Sequence, residues 1–326
     1  MPDNYRVEAH ENGQRLDKYL ATQPAVGSRK RARDAIDSAK VSVDGRRVGP
    51  EDRALQVKTG MQIQIEWNRP GSARRPSRAR LELERRGVRI VHEDADLLVL
   101  DKPPGLLTDA ATHQQRCQEH TLRSLVTAWL GTLGQQPSVV HRIDRDTSGL
   151  VVVARHPRTG EHLRNQFRAH TPRRVYWVLV AGGPAQDRGH FADPMRWDAE
   201  RLLQCATSSD DPRGVLARAS FEVLERIGPA DAPLASVLEV VLQTGRRNQI
   251  RLHCQLAGFP LWGERLYVDA GGRRLDRDAP RQALHAHRLA FIHPSTGRQV
   301  SFESPLPDDL RSVLASLRRG RAQGRP

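Results

Sequence analysis

From Val88 onward the apolar residues fall into short strand-like runs with few helical stretches between them. Leu150-Val151-Val152-Val153-Ala154 is a continuous apolar run bounded by Gly149 and by Arg155-His156-Pro157, which predicts a strand covered on both faces. Val88 to Val91 and Leu97 to Leu100 flank an acidic turn and read as a hairpin, while Val175 to Val180, Ala217 to Leu224 and Ser236 to Gln243 follow as further strands. Glu161 to His170 carries Leu163 and Phe167 one helical turn apart. Successive strands without crossover helices imply antiparallel pairing, hence an α+β domain built on a mixed, largely antiparallel sheet with flanking helices.

The first 67 residues are patterned differently. Arg15 to Leu20 has its apolar residues on one helical face, and Ser28 caps a second predicted helix through Ala39, with Ala32, Ala35, Ile36 and Ala39 facing inward. Arg29, Lys30 and Arg33 project together near the start of that helix. Val41 to Val48 alternates around an Asp44-Gly45 turn, and Met61 to Ile65 alternates again. These elements make a small α/β module over residues 1–67. Residues 68–80 hold five arginines, two prolines and no acid, so a flexible basic linker is expected over 68–84, followed by the main domain over 85–312. The basic stretch 313–326 is expected to be a mobile tail.

Charge narrows the choice of partner. Lys and Arg total 52 against 38 Asp and Glu, for a formal net charge of +14, an excess that favours a polyanion, with nucleic acid first. At 38% hydrophobic residues the chain can build a true core, which excludes disorder of the whole. No apolar stretch approaches the about 18–20 residues that span a bilayer, and Met1-Pro2-Asp3-Asn4 opens no targeting pattern, so a cytoplasmic protein away from membranes is expected. Cys117, Cys205 and Cys254 form no Cys-x-x-Cys pair. His285, His287 and His293 lack neighbouring acids in sequence, and neither a Walker loop nor a Gly-x-Gly-x-x-Gly fingerprint occurs. No metal and no cofactor are expected.

Chemistry concentrates before the buried strand, in His141-Arg142-Ile143-Asp144-Arg145-Asp146-Thr147-Ser148-Gly149. A carboxylate flanked by Arg142 and Arg145 would be held ionised, which makes Asp144 a candidate nucleophile or base. The plainer alternative is that Asp144 or Asp146 accepts hydrogen bonds within a turn.

This loop resembles the signature of the RluA-type pseudouridine synthases. The similarity continues in order through Leu100-Asp101-Lys102-Pro103-Pro104-Gly105-Leu106, Arg174-Val175-Tyr176, Thr244-Gly245-Arg246-Arg247-Asn248-Gln249-Ile250-Arg251-Leu252-His253 and Leu284-His285-Ala286. The first 67 residues are similar to an S4-like RNA-binding domain. The resemblance implies an isomerase that turns uridine in structured RNA into pseudouridine without a cofactor, in a synthase domain over 85–312. It places Asp144 at the chemistry, Arg251 as its ion-pair partner lowering its pKa, and Tyr176 against the base. Arg142, with His141 as second choice, would assist nucleotide flipping; Arg174 replaces a customary Lys; Asp146 supports; Lys102-Pro103-Pro104-Gly105 forms a rigid edge. Without the resemblance, a structural arginine on a strand covering a core edge is the favoured reading of Arg251, and Tyr176 reads equally as a core-edge tyrosine. Arg29, Lys30 and Arg33 would touch phosphates. Arg247 and Asn248 depart from the family pattern, which leaves substrate preference open. Ribosomal RNA of the large subunit is favoured over transfer RNA, a monomer is expected, and the competing reading is a non-catalytic RNA-binding or ribosome-assembly factor.

Overall fold

The computed structural model describes residues 3–67, 77–110, 119–201, 203–229, 231–268 and 279–322, except the side chains of 321 and 322. It divides into two compact units, 1–76 and 77–326. Cys117 and the first part of the expected linker lie outside the described residues.

In the first unit, β1 (Asp3–Arg6), α1 (Leu16–Thr22), α2 (Arg29–Asp37), β2 (Val41–Val43), β3 (Arg46–Arg47) and β4 (Gln62–Ile65) surround a core of Leu16, Tyr19, Leu20, Ile36, Val41, Ile63 and Ile65. The sheet runs β1-β4-β2-β3, antiparallel throughout. Ser28 caps α2 by accepting from the Arg31 N–H at 3.2 Å. Asp44 and Gly45 take φ of 48° and 76°, the pair of left-handed residues that a tight hairpin turn requires. One boundary differs from expectation: α2 ends at Asp37, and Ala39 lies beyond it at φ 51°.

The second unit opens with α3 (Arg78–Arg85) where a linker was expected. Ser77 accepts from the Arg80 N–H, Leu83 is fully buried, and Arg80 and Arg86 pair with Glu84 and Glu82. Arginine density suggested a solvated spacer, but those acids and that leucine make an amphipathic helix. There follow β5 (Arg89–Glu93), β6 (Leu97–Lys102), α4 (Leu122–Gly131), β7 (Ser138–Val139), β8 (Ser148–Ala154), α5 (Pro157–Arg168) and β9 (Arg173–Ala181). Next come β10 (Arg188–Asp198), β11 (Leu203–Ala206), β12 (Val215–Ile227), β13 (Ala235–Leu242), α6 (Gln249–Leu256), β14 (Leu284–Ile292), β15 (Gln299–Glu303) and α7 (Asp308–Ala322).

The sheet order is β11-β10-β12-β13-β9-β14-β8-β6-β5, with β15 on β14 and β7 on β8. Among the described strand pairs of this sheet only β14–β8 is parallel, over His285 and Ala286. All seven residues of β8 are buried. Val151 and Val153 join the core that holds Leu125, Val126 and Trp129 of α4, whereas Leu150 and Val152 join the one that holds Leu163 of α5. The alternating faces of one strand thus meet two helices. The expected tail is helical as far as Ala322, as the second part of α7, because Leu314 buries against Leu179, Ile227 and Trp262 beside Leu310 of the preceding turn, and Arg318 pairs with Glu225 at 2.6 Å. Its basic composition hid a core leucine.

Candidate active site

The loop 141–147 connects β7 to β8, and almost every anchor on it comes from a buried group. Ile143 is buried, and the Thr108 hydroxyl both donates to its carbonyl at 2.8 Å and accepts from its N–H at 3.3 Å. Lys102, fully buried at the end of β6, donates from Nζ to the carbonyls of Pro103, Leu106 and Arg145 at 2.7–2.8 Å. Burial pushes its pKa down to about 7. Arg281, itself held by Asp309 at 2.7 Å, donates to the Asp146 carbonyl and the Ser148 hydroxyl. Gly149 closes the loop at φ 115°, where an added Cβ would stand 2.3 Å from the Ala286 carbonyl oxygen. These contacts hold the main chain of the loop on both sides of Asp144.

It forms one wall of a cavity of about 240 Å³, also lined by Arg174 and Tyr176 of β9 and by 245–250 at the start of α6. Among the described residues Asp144 is the one carboxylate on this lining. Its side chain is 20% exposed, and it accepts a hydrogen bond from the Asn248 N–H. Burial pushes its carboxyl above the ordinary range, against the pull of Arg251, Arg142, that N–H and Lys102. The expectation of a depressed pKa is thereby reversed: desolvation outweighs the neighbouring cations.

The reason lies in how Arg251 is used. The Gln249-Ile250-Arg251-Leu252-His253 segment is helical, not a strand, and begins α6 after Asn248 at φ 52°, a left-handed position that Asn tolerates well. Arg251 donates through Nε and Nη2 to Glu264 at 2.7 and 2.5 Å and through Nη1 to the Asn248 side chain at 3.2 Å. Asp144 stands 4.0 Å from Nη1. The pairing expected between Asp144 and Arg251 is thus a loose electrostatic contact, and the tight partner is Glu264. Glu264 also accepts from the backbone N–H groups of Arg265, Leu266 and Tyr267. Burial works to raise its pKa, but the Arg251 hydrogen bonds and charge and these N–H groups hold it below the usual range. Sequence reasoning missed Glu264; the glycine before it, at φ 74° and 2.2 Å from the Arg281 carbonyl by its missing Cβ, was the available hint of a built turn.

Tyr176, 7% exposed, faces the cavity from the middle of the sheet, and burial pushes its hydroxyl up to about 12. Arg174 lies two residues earlier on the same face, over the Phe167 ring at 5.9 Å, with burial lowering its pKa. Arg142 is exposed and lines the cavity. Arg145 turns to Glu119 at 2.6 Å, so of the two flanking arginines only Arg142 faces Asp144. His141 is not free for a nucleotide: its ring stacks on Phe167 at 4.5 Å and its Nε2 accepts the Val152 N–H at 3.0 Å. Burial and then Arg174 push it down to about 3, hence neutral.

Elsewhere the expected groupings also change. His285 and His287 both bond the Ser304 carbonyl, whereas His293 meets acids that sequence did not foresee, Asp94 and Asp96. His293 Nδ1 accepts two backbone N–H groups, which leaves the proton on Nε2 for Asp94 at 3.0 Å. In the first unit, Arg29 and Arg33 donate through Nε to Asp17 at 3.1 and 3.0 Å. They are half-tethered, with side chains 43–44% exposed, while Lys30 is exposed.

The described lining joins one carboxylate to Arg142, Arg174, Arg246 and Arg247 and to the ring of Tyr176, groups that suit a ring attached to a sugar phosphate. Comparison with known proteins agrees. Residues 96–256 match the family of RNA pseudouridylate synthases, and residues 14–63 match the S4 domain. An uncharacterized RNA pseudouridine synthase of Bacillus subtilis is 32% identical across 95% of this chain and 96% of its own length. A protein of Pseudomonas aeruginosa named ribosomal large subunit pseudouridine synthase D is 32% identical across 95% of this chain and 93% of its own. The solved human RNA pseudouridylate synthase domain containing 4 shares the fold at a TM-score of 0.55 and 19% identity, covering 73% of this chain and 95% of that one.

Proposed function

Because the chain belongs to the RNA pseudouridylate synthases, RluA-type isomerases here carrying an N-terminal S4 domain, we propose that it converts uridines of large-subunit ribosomal RNA, using Asp144 as the reacting carboxylate and no cofactor. The observation that carries this reading is the position of Asp144, the one carboxylate on the described cavity lining, opposite Tyr176 and within reach of Arg251. The reaction breaks the bond from uracil N1 to ribose C1′, turns the base and joins C5 to C1′. The C5 proton leaves and N1 gains one, so atoms and electrons balance without an oxidant. Attack on C1′ and removal of a ribose proton both require Asp144 ionised. Closing the cavity over the base removes water, which strengthens the pull of Arg251 on the carboxylate.

A uridine within folded RNA must leave its stack to reach this carboxylate, at about a few kcal/mol. Arg142, exposed and in no described ion pair, is placed to hold the swung-out nucleotide beside Asp144. Tyr176 offers its ring to the base and stays protonated. Lys30 and the free guanidinium nitrogens of Arg29 and Arg33 give the S4 domain its phosphate contacts. The name of the Pseudomonas relative supports large-subunit ribosomal RNA as substrate. No described helix is long and apolar enough to cross a membrane, and in this reading the enzyme works as a cytoplasmic monomer.

The test is to map pseudouridines in total RNA with and without the protein, and to repeat the mapping with Asp144→Asn. The variant is expected to bind RNA and to convert none of it; full conversion would refute the assignment.

A further inference from the structure

Arg247, one of the two departures from the family pattern, lays its guanidinium over the Trp197 indole, 4.1 Å from the ring centroid. Trp197 sits near the end of β10, two residues from Met195 and hence on the same face of the strand. Met195 packs against Leu252 of α6 and Tyr267, which brings the indole to the start of that helix, at the lip of the cavity. Arg247 itself lines the cavity, and Trp197 is 38% exposed.

Two features call for a ligand. More than half of the chain's described arginines form ion pairs with acids, whereas Arg142, Arg246 and Arg247 at this cavity form none among the described residues, and Arg142 and Arg247 share the charge of the single carboxylate Asp144. Burial and the nearby Arg142 charge both work against the charge on Arg247. A single contact between guanidinium and indole stabilises only weakly, too little to account for leaving a large aromatic 38% exposed beside cations held in no described ion pair. A guanidinium over an indole is, however, a surface on which a nucleobase can stack, with phosphates within reach of the spare donors.

We infer that Trp197 and Arg247 form a stacking platform that takes the base of a nucleotide next to the target uridine, a purine in preference to a pyrimidine. The inference rests on the reading of the cavity as a uridine site in RNA. The larger ring system of a purine covers more of that surface, so base size sets the preference.

Fluorescence anisotropy on the full chain tests this with stem-loop RNAs whose loop holds one uridine flanked by adenines, and with versions carrying an abasic site on either side in turn. For wild type, one of the two abasic RNAs should bind about tenfold more weakly than the parent. Trp197→Ala should show that loss already with the parent RNA and no further loss with that abasic one. Trp197→Phe should fall between, and Arg247→Ala, which leaves the indole in place, repeats the comparison should Trp197→Ala fold poorly. Losses that add independently, or a Trp197→Ala protein that binds the parent RNA like wild type, would overturn the platform. Wild type that bound none of the RNAs would instead overturn the uridine reading, and the platform with it.

Discussion

Replacing Arg251 by Gln removes the cation nearest the proposed catalytic carboxylate. At the observed 4.0 Å, unit charges attract by about 4 kcal/mol at an effective dielectric of about 20. With about 1.4 kcal/mol for each factor of ten, this is on the order of a thousandfold in the ionised fraction of Asp144 wherever it is mostly protonated. The sign follows from the active form. Ionised Asp144 is required, so activity is present above its pKa and lost below it. Losing the cation raises that pKa, and the acid limb of the pH profile moves to higher pH. Glu264 sharpens the experiment, because in Arg251→Gln it stays behind as an uncompensated anion behind Asp144. The double variant Arg251→Gln/Glu264→Gln removes both charges and should place the acid limb between those of the single variant and wild type. The assay is the pH dependence of kcat/KM for pseudouridine formation on unmodified large-subunit ribosomal RNA, which reports groups of the free enzyme. Thermal melts of both variants separate electrostatics from folding, since Arg251 and Glu264 are buried and stripping one partner costs about 3–5 kcal/mol. An acid limb that does not move in either folded variant refutes the electrostatic role of Arg251, and a double variant shifted further than the single refutes the opposition assigned to Glu264.

Three further outcomes are expected. Asp17 is fully buried among Arg15, Arg29 and Arg33, whose hydrogen bonds overcome its burial and hold its pKa at about 2; its stabilising effect is present above the ordinary carboxylate range and fades as pH falls towards about 2. Asp17→Asn should weaken hydrogen-exchange protection of α1 and α2 at neutral pH by about 1–3 kcal/mol, and equal protection in both proteins at neutral pH would contradict this. Gly149→Ala places Cβ 2.3 Å from the Ala286 carbonyl oxygen at φ 115°, so calorimetry should record a loss of about 2 kcal/mol or more in the second unit. Tyr176 holds its proton to about 12, hence Tyr176→Phe should leave the alkaline arm of the pH profile where wild type has it; displacement of that arm would show a titrating Tyr176.

Elements whose periodicity lay within a few residues were legible in the sequence. The apolar run 150–154 became the buried β8, the Asp44-Gly45 pair became a turn, and Ser28 became a cap, each because the local pattern and the final environment agree. Composition misled where it averaged over a pattern. Arginines masked Leu83 in α3 and Leu314 in α7. The Gln-Ile-Arg-Leu-His segment is too short for its period to distinguish helix from strand, and the left-handed Asn248 that starts the helix leaves no periodic mark. At the site, Asp144, Tyr176, Arg174 and Arg142 do line one cavity, although they are up to 34 positions apart in the sequence. Which cation holds which anion was not legible, since Arg251 chooses between Asp144 and Glu264 through a turn that forms only when 262–267 folds back on α6.

That choice matters for how the site is held ready. A carboxylate locked to Arg251 at hydrogen-bond distance would be ionised but committed, and its lone pairs would have to be released before they met a sugar. Here the arginine is committed instead, to Glu264 and Asn248, and the carboxylate is fixed by its loop: Lys102, Thr108 and Arg281 bind the backbone on both sides of Asp144 without touching its oxygens. Rigidity therefore comes from the main chain, and reactivity is left in the side chain. It also follows that Asn248, a departure from the family pattern, is compatible with the chemistry: its N–H meets Asp144 while its side chain joins Arg251 to the Tyr267 hydroxyl. Both functions belong to the turn that starts α6, which Asn can adopt, so in the proposed reaction the departure at 248 acts beside the carboxylate and the one at 247 on the approach of the RNA.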